Sequence, residues 1–174
     1  MREANLFRIL TATTLSALLT TTIGCGWLFN KEEKPLRVEV VFTGSDSLNF
    51  DGRSVQACQV KAFVLKDIQR FSAADVRAFF NQEFDPGFIE AFARDTLGSV
   101  TMIVAPGETR SAIIEIPHAF AKREPRLYFG ALANFAQPPS ERGKERMSFK
   151  MQKKSQQTLR VQLNKNTVAQ GKKK

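Results

Sequence analysis

Short stretches in which apolar and polar residues alternate run along most of the chain and predict β-strands. In the first of these, Leu36–Phe42, the side chains of Val38, Val40 and Phe42 share one face. The same alternation predicts strands at Gln56–Leu65, Glu145–Gln152 and Gln157–Leu163. Two apolar runs joined by a turn signal predict strands at Val100–Val104 and Ser111–Ile116, and Leu127–Phe135 is apolar on both faces, as expected of a central strand. Short strands separated by turn signals are typical of a two-sheet β-sandwich, so we expect an all-β protein.

One stretch between the second and third strands has helical spacing instead. Ser72 is the expected N-cap of a first short helix, and Phe71 before it can form a hydrophobic staple. Asp85-Pro86 begins a second, because proline favours the first helical position. Apolar residues at helical spacing supply the buried faces of the two helices: Val76, Phe79, Phe80, Phe88, Ile89 and Phe92. The sequence thus predicts a small insertion of two helices in the sandwich.

Residues 1–24 have the features of a secretory signal peptide. Arg2 and Arg8 give a basic start, and Ile9–Ile23 carries no charge. This run is too short and too rich in threonine to span a bilayer. Gly24-Cys25 closes it, and a small residue before a cysteine is the mark of a bacterial lipobox. We therefore expect cleavage before Cys25 and acylation of that cysteine; the alternative is an ordinary signal peptide with a coincidental cysteine.

The mature chain divides by composition into three parts. Residues 25–35 are predicted to form a lipidated tether, in which Trp27-Leu28-Phe29 either enter the headgroup layer or pack on the domain. Residues 36–164 form the expected sandwich, and residues 165–174 a Lys-rich tail. Between Glu141 and Lys174 there are 11 Lys/Arg and 2 Glu, so the positive charge lies late in the chain. Such a segment attracts lipid phosphates or an acidic partner, or is simply a solvated tail.

Residues that could carry catalysis are sparse. His118 is the single histidine and follows Pro117 at a strand end, which favours a structural role. Cys58 lies mid-strand among apolar residues, as expected of a buried thiol; a disulfide with Cys25 would compete with acylation. The sequence contains no metal-ligand cluster or glycine-rich phosphate loop, so we expect neither an enzyme nor a metal or cofactor site.

The first loop, Thr43–Ser54, is longer than a usual hairpin connection. It contains turn-forming residues beside the apolar Leu48 and Phe50, which either tuck back to close the end of the sandwich or form a protruding contact surface. On the second interpretation, six residues are candidates for binding a partner: Ser47, Leu48, Asn49, Phe50, Asp51 and Arg53.

Several motifs in order resemble those of a known family. They are Leu48-Asn49-x-Asp51-Gly52-Arg53-Ser54, a strand ending Leu65-Lys66-Asp67, Phe71-Ser72-x-Ala74-Asp75, Pro106-Gly107-Glu108 and the long strand Tyr128–Phe135. With the lipobox ahead of them, they are similar to the TssJ (SciN) family, the outer-membrane lipoproteins of the type VI secretion system.

The resemblance implies a transthyretin-like two-sheet β-sandwich without catalysis or cofactor. It also implies a lipid-anchored protein on the periplasmic face of the outer membrane, where it binds the periplasmic domain of the inner-membrane protein TssM. The alternative is a glycan- or protein-binding lipoprotein of another envelope system.

Overall fold

The computed structural model describes residues 34–81, 83, 85–137, 139–141 and 143–171. The expected signal peptide, Cys25, most of the tether and Lys172–Lys174 therefore lie outside the described residues. Eight strands occupy the described part: β1 Leu36–Gly44, β2 Cys58–Leu65, β3 Thr96–Val104, β4 Thr109–Ile116, β5 Leu127–Asn134, β6 Arg146–Met151, β7 Gln156–Leu163 and β8 Val168–Gln170. Four short helices accompany them: α1 Gln69–Ala73, α2 Val76–Phe80, α3 Pro86–Ala93 and α4 His118–Arg123.

The strands form two four-stranded sheets, which confirms the predicted sandwich. The first sheet has the order β4-β1-β7-β8 and the second the order β3-β2-β5-β6. The β1–β7 pair is parallel, whereas every other pairing in the two sheets is antiparallel. The β3–β4 hairpin passes from one sheet to the other, as in other two-sheet sandwiches.

The core between the sheets is built from the alternating positions that the sequence indicates. Val38, Val40 and Phe42 of β1 have no exposed surface, and they belong to the same cluster as Val60 of β2. Cys58, also fully buried there, is a free thiol that donates a hydrogen bond to the carbonyl of Asn134. Burial raises the pKa of this thiol to about 12, so it is unreactive.

The helices α1, α2 and α3 cover the outer face of the second sheet. Phe63 and Leu65 of β2 belong to an apolar cluster there that also contains Phe71, Phe79 and Phe92 of the three helices. This second cluster explains why β2 is apolar on both faces towards its end. Arg146 of β6 fastens the layer, because its guanidinium donates to the carbonyls of Phe71 (2.6 Å) and Ala74 (2.7 Å).

The prediction of two helices with Ser72 as the first N-cap is wrong. Three helices lie between β2 and β3, and Ser72 is inside the first of them. Asp75 caps the next helix instead, since its carboxylate accepts a hydrogen bond from the backbone N–H of Arg77 at 2.9 Å. Phe71 is consequently a buried residue of α1 rather than a staple before a cap. The predicted start at Asp85-Pro86 is confirmed, with Asp85 as N-cap and proline in the first turn.

The structure contains two elements that no sequence pattern predicts. β8 lies within residues 165–174, which we expected to be a Lys-rich tail, and it pairs with β7 from Val161 to Leu163. α4 follows Pro117 between β4 and β5. Both are too short to show a period of their own.

The two ends of the sandwich carry different connections. We term the end at which β1 stops the loop end; it holds the β1–β2 loop (45–57), the β3–β4 turn and the β5–β6 and β7–β8 connections. We term the opposite end, where β1 begins, the base. It holds α4 and the β6–β7 turn (152–155), whose Ser155 carbonyl accepts a hydrogen bond from the backbone N–H of Arg37.

Candidate functional site at the loop end

Asn49 joins three connections of the loop end. Its side-chain amide donates to the carbonyl of Ala57 (2.9 Å), and its side-chain oxygen accepts from the backbone N–H of Ala136 (2.6 Å). Its own backbone N–H donates to the carbonyl of Lys165 at 2.7 Å. Asn49 has a φ of 51°, in the left-handed region that asparagine tolerates better than most residues. This buried residue thus holds the β1–β2 loop against the β5–β6 and β7–β8 connections.

Leu48 belongs to the sandwich core, which is the position expected for it if the loop tucks back to close the end of the sandwich. Its side chain has no exposed surface and packs in the main cluster between the sheets. The backbone N–H of Leu48 donates to the carbonyl of Ser45, and its carbonyl accepts from the N–H of Gln56. The loop therefore folds back at Leu48 and closes this end of the core.

Phe50 lies differently from Leu48, because part of its ring remains accessible. The ring is half-buried, and the ammonium of Lys165 lies 4.9 Å from its centroid. A cation over an aromatic face is attracted by the ring, so Lys165 restrains Phe50 and adds positive charge beside it. The same loop exposes Val55, whose side chain is 46% accessible. Phe50 and Val55 are thus the apolar surface that this loop offers to solvent.

Asp51 organises the tip of the loop. One carboxylate oxygen accepts from the backbone N–H groups of Arg53 (2.8 Å) and Ser54 (2.9 Å), and the other accepts from the side chain of Gln56 (2.6 Å). The N–H groups of Ser54 and Arg53 hold the pKa of the Asp51 carboxyl below its usual value. Gly52, with a φ of 100°, makes this tight turn. Asp51 remains charged, but both of its carboxylate oxygens accept hydrogen bonds from other residues of the loop.

The remaining two predicted residues, Ser47 and Arg53, are exposed on the same loop. The hydroxyl of Ser47 lies 3.4 Å from that of Ser45, and Arg53 forms no ion pair with another residue of the described chain. Five of the six predicted residues therefore shape or line the loop surface. Two further residues of this surface, Lys165 and Val55, were not predicted from the sequence. Val55 is an apolar residue among polar ones, which was the available signal for it. Nothing in the local sequence indicated that Lys165 lies beside Phe50.

No three metal-binding side chains come together in the described part of the chain, and none of its helices has the length and apolar character that crossing a bilayer requires. A two-sheet sandwich that holds both ends of one long loop is a scaffold on which such loops commonly form binding surfaces.

The chain belongs to the type VI secretion lipoprotein family T6SS-SciN, which includes VasD, EvfM and TssJ; the family model matches residues 36–166. The family resemblance seen in the sequence motifs is thereby confirmed. This family consists of structural secretion lipoproteins and is not an enzyme family. No curated protein sequence matches the chain.

Solved structures of type VI secretion proteins share the fold. The lipoprotein TssJ1 from Pseudomonas aeruginosa superimposes with a TM-score of 0.60 at 17% identity, covering 78% of this chain and 94% of that one. Serratia marcescens Lip, a membrane-bound component of the system, superimposes with a TM-score of 0.62 at 17% identity, covering 80% of this chain and 98% of that one. A chain in the structure of the TssM C-terminal domain from EAEC superimposes with a TM-score of 0.58 at 15% identity, covering 79% of this chain and 98% of that one. At these identities the likeness establishes the fold alone.

Proposed function

We propose that this protein is a lipid-anchored adaptor of a type VI secretion membrane complex, tethering the periplasmic domain of a TssM-type inner-membrane protein to the outer membrane. The family match over residues 36–166, preceded by the lipobox Gly24-Cys25, is the observation that carries the proposal. Gly26 after the cysteine supports outer-membrane sorting, because an aspartate there commonly retains lipoproteins in the inner membrane. On this proposal the protein acts by holding two membranes together and needs no reaction centre.

Acylation of Cys25 is the first prediction that follows. Wild-type protein should incorporate radiolabelled palmitate and sediment with outer-membrane markers on a sucrose gradient. Cys25→Ser should lose both properties, since the acylated sulfur is removed, whereas Cys58→Ser should retain them because Cys58 is buried in the folded core. Equal labelling of wild type and Cys25→Ser, or wild type found only with inner-membrane markers, would contradict the proposal.

We further propose that the β1–β2 loop forms part of the contact with the TssM-type partner. The loop is fastened by Asn49 and Asp51, so it loses little conformational freedom on binding. Phe50 supplies an accessible aromatic ring, and aromatic residues at the centre of an interface commonly carry much of the binding energy. Arg53 and Lys165 at the rim favour an acidic surface on the partner and affect the association rate more than the affinity.

Phe50→Ala should therefore weaken binding of the partner's periplasmic domain by about 1–3 kcal/mol, the usual range for such an anchor. Calorimetric titration of the mature chain against that domain measures the change. Phe120→Ala is a matched control, because it removes an exposed ring at the base and should leave the affinity unchanged. If Phe50→Ala lowers only the melting temperature and the folded variant binds with wild-type affinity, Phe50 serves the fold and the contact lies elsewhere.

A further inference from the structure

The base of the sandwich exposes a large apolar side chain. Phe120 lies on α4 with 54% of its surface accessible, although the neighbouring Ala121 is buried. Single exposed apolar residues are common on protein surfaces, so the significance of this ring depends on what accompanies it at the base.

The segments that form the base carry several cationic side chains. Arg123 ends α4 and Arg126 follows it, while Lys153 and Lys154 lie on the adjacent β6–β7 turn; all four are exposed. The two segments touch, because the ammonium of Lys153 contacts the carbonyl of Glu124. The acidic groups at the base are fewer: Glu115 is paired with Arg37 at 2.9 Å and Asp95 with Arg70, while Asp67 and Glu124 remain. The base therefore combines one aromatic ring with an excess of positive charge.

The described chain also begins at the base. Lys34 is its first residue, and Leu36 pairs with Ile116 immediately before α4. Lys34 is only nine positions after Cys25, so Lys34 at the base cannot be further than about 30 Å from an acylated Cys25 even on a fully extended tether. The acyl chains would keep this end of the sandwich close to a lipid surface.

We propose that the base is a membrane-docking surface, in which Phe120 enters the interface of an anionic phospholipid bilayer while Arg123, Arg126, Lys153 and Lys154 contact lipid phosphates. Aromatic rings favour the headgroup layer, and basic residues near an anionic surface are attracted to it. The orientation relative to the membrane rests on the proposed acylation of Cys25. It directs the loop end, with Phe50, away from the lipid and towards the partner.

Site-specific fluorescence tests the docking on the acylated protein. An environment-sensitive thiol probe is attached to Phe120→Cys, or to Val55→Cys at the loop end as the control. Acylated Cys25 has no free thiol, and Cys58 is fully buried with a thiol pKa of about 12, so the probe reacts at the introduced site. The protein is reconstituted into vesicles of phosphatidylethanolamine and phosphatidylglycerol, and fluorescence is compared with that in detergent. Probe at residue 120 should brighten and be quenched by brominated lipid, whereas probe at residue 55 should not change.

Vesicle co-sedimentation of the unacylated mature chain, Cys25→Ser, separates docking from anchoring. This chain contains both sheets, the core and all the described helices, which lie within the compact unit that begins at Lys34. Lys153→Glu/Lys154→Glu should reduce binding to the anionic vesicles by roughly tenfold or more. Arg53→Glu/Arg160→Glu makes the same change in net charge away from the base and should have a smaller effect. Phe120→Ala should weaken binding, and Phe50→Ala should not.

Three outcomes would overturn the proposal. The first is equal loss of vesicle binding in the two double charge reversals, which would show attraction by overall charge alone. The second is complete loss on removing Lys172–Lys174 with no effect of the base variants, which would assign binding to the tail. The third is a fluorescence change at residue 120 that requires the TssM-type periplasmic domain, which would make the base a protein contact. None of these results depends on whether Phe50→Ala weakens partner binding, so the two proposals can fail separately.

Discussion

Phe71→Ala should lower the free energy of unfolding by about 3–5 kcal/mol, the usual cost of removing a fully buried phenylalanine ring. The ring of Phe71 has no exposed surface, and its centroid lies 6.0 Å from that of Phe63 and 5.5 Å from that of Phe79. It also covers Gly130, where a β-carbon would come within 2.9 Å of the ring. Phe71 therefore fills the space between the helices and the second sheet, and no neighbour can replace it. Urea unfolding followed by circular dichroism measures the loss.

The exposed Phe120 supplies the matched control for this measurement. Phe120→Ala should change the free energy of unfolding by no more than about 0.5 kcal/mol, because the ring is 54% accessible. A loss below about 1 kcal/mol in Phe71→Ala would mean that the helical layer contributes little to the stability of the sandwich.

Asn49→Ala should cost about 2–4 kcal/mol of unfolding free energy, from two sources. The substitution leaves the carbonyl of Ala57 and the backbone N–H of Ala136 without their side-chain partner. It also places alanine at a φ of 51°, which alanine tolerates less well than asparagine because it has no polar side chain to hydrogen-bond locally.

Two further substitutions separate the contribution of the lost hydrogen bonds from that of the backbone strain. Asn49→Gly removes the strain and keeps the loss of hydrogen bonds, while Asn49→Asp keeps an acceptor for Ala136 but loses the donor to Ala57. We expect the order of stability to be wild type, then Asp or Gly, then Ala, measured by urea unfolding. Partner affinity should fall in Asn49→Ala even where the protein is folded, because the loop loses its attachment to the other connections. A variant with unchanged stability would show that Asn49 is not what fastens the loop.

Most strands of the two sheets, including the edge strands β4 and β6, could be predicted from the sequence, whereas β8 and the first part of β3 could not. Val38, Val40 and Phe42 alternate because β1 lies inside a sheet with one face on the core. The first four residues of β3, from Thr96 to Ser99, belong to an edge strand and include Gly98, so their pattern is weak. β8 has three residues and derives its structure from pairing with β7.

For the loop, the residue types were predictable but the partners were not. The tolerance of asparagine and glycine for left-handed backbone marks Asn49 and Gly52 as turn residues. The bond from Asn49 to Ala136 spans 87 residues, a separation that no local pattern encodes. Leu48 is buried whereas the ring of Phe50 is partly accessible, although both are apolar residues of the same loop. Only the packed structure decides which of two neighbouring apolar side chains reaches the core.

The parallel pairing of β1 with β7 has a consequence for how the chain reaches its final location. The bond between Glu39 and Thr158 joins residues 119 positions apart, so the first sheet cannot be completed until β7 has left the ribosome. Pairings of such long range also form slowly. A nascent chain with this topology therefore lacks its first sheet through most of its synthesis. The same connection that stabilises the finished sandwich thus keeps β1 without its parallel partner until β7 has been made, and on the proposed export this leaves the first sheet incomplete while the earlier part of the chain is translocated.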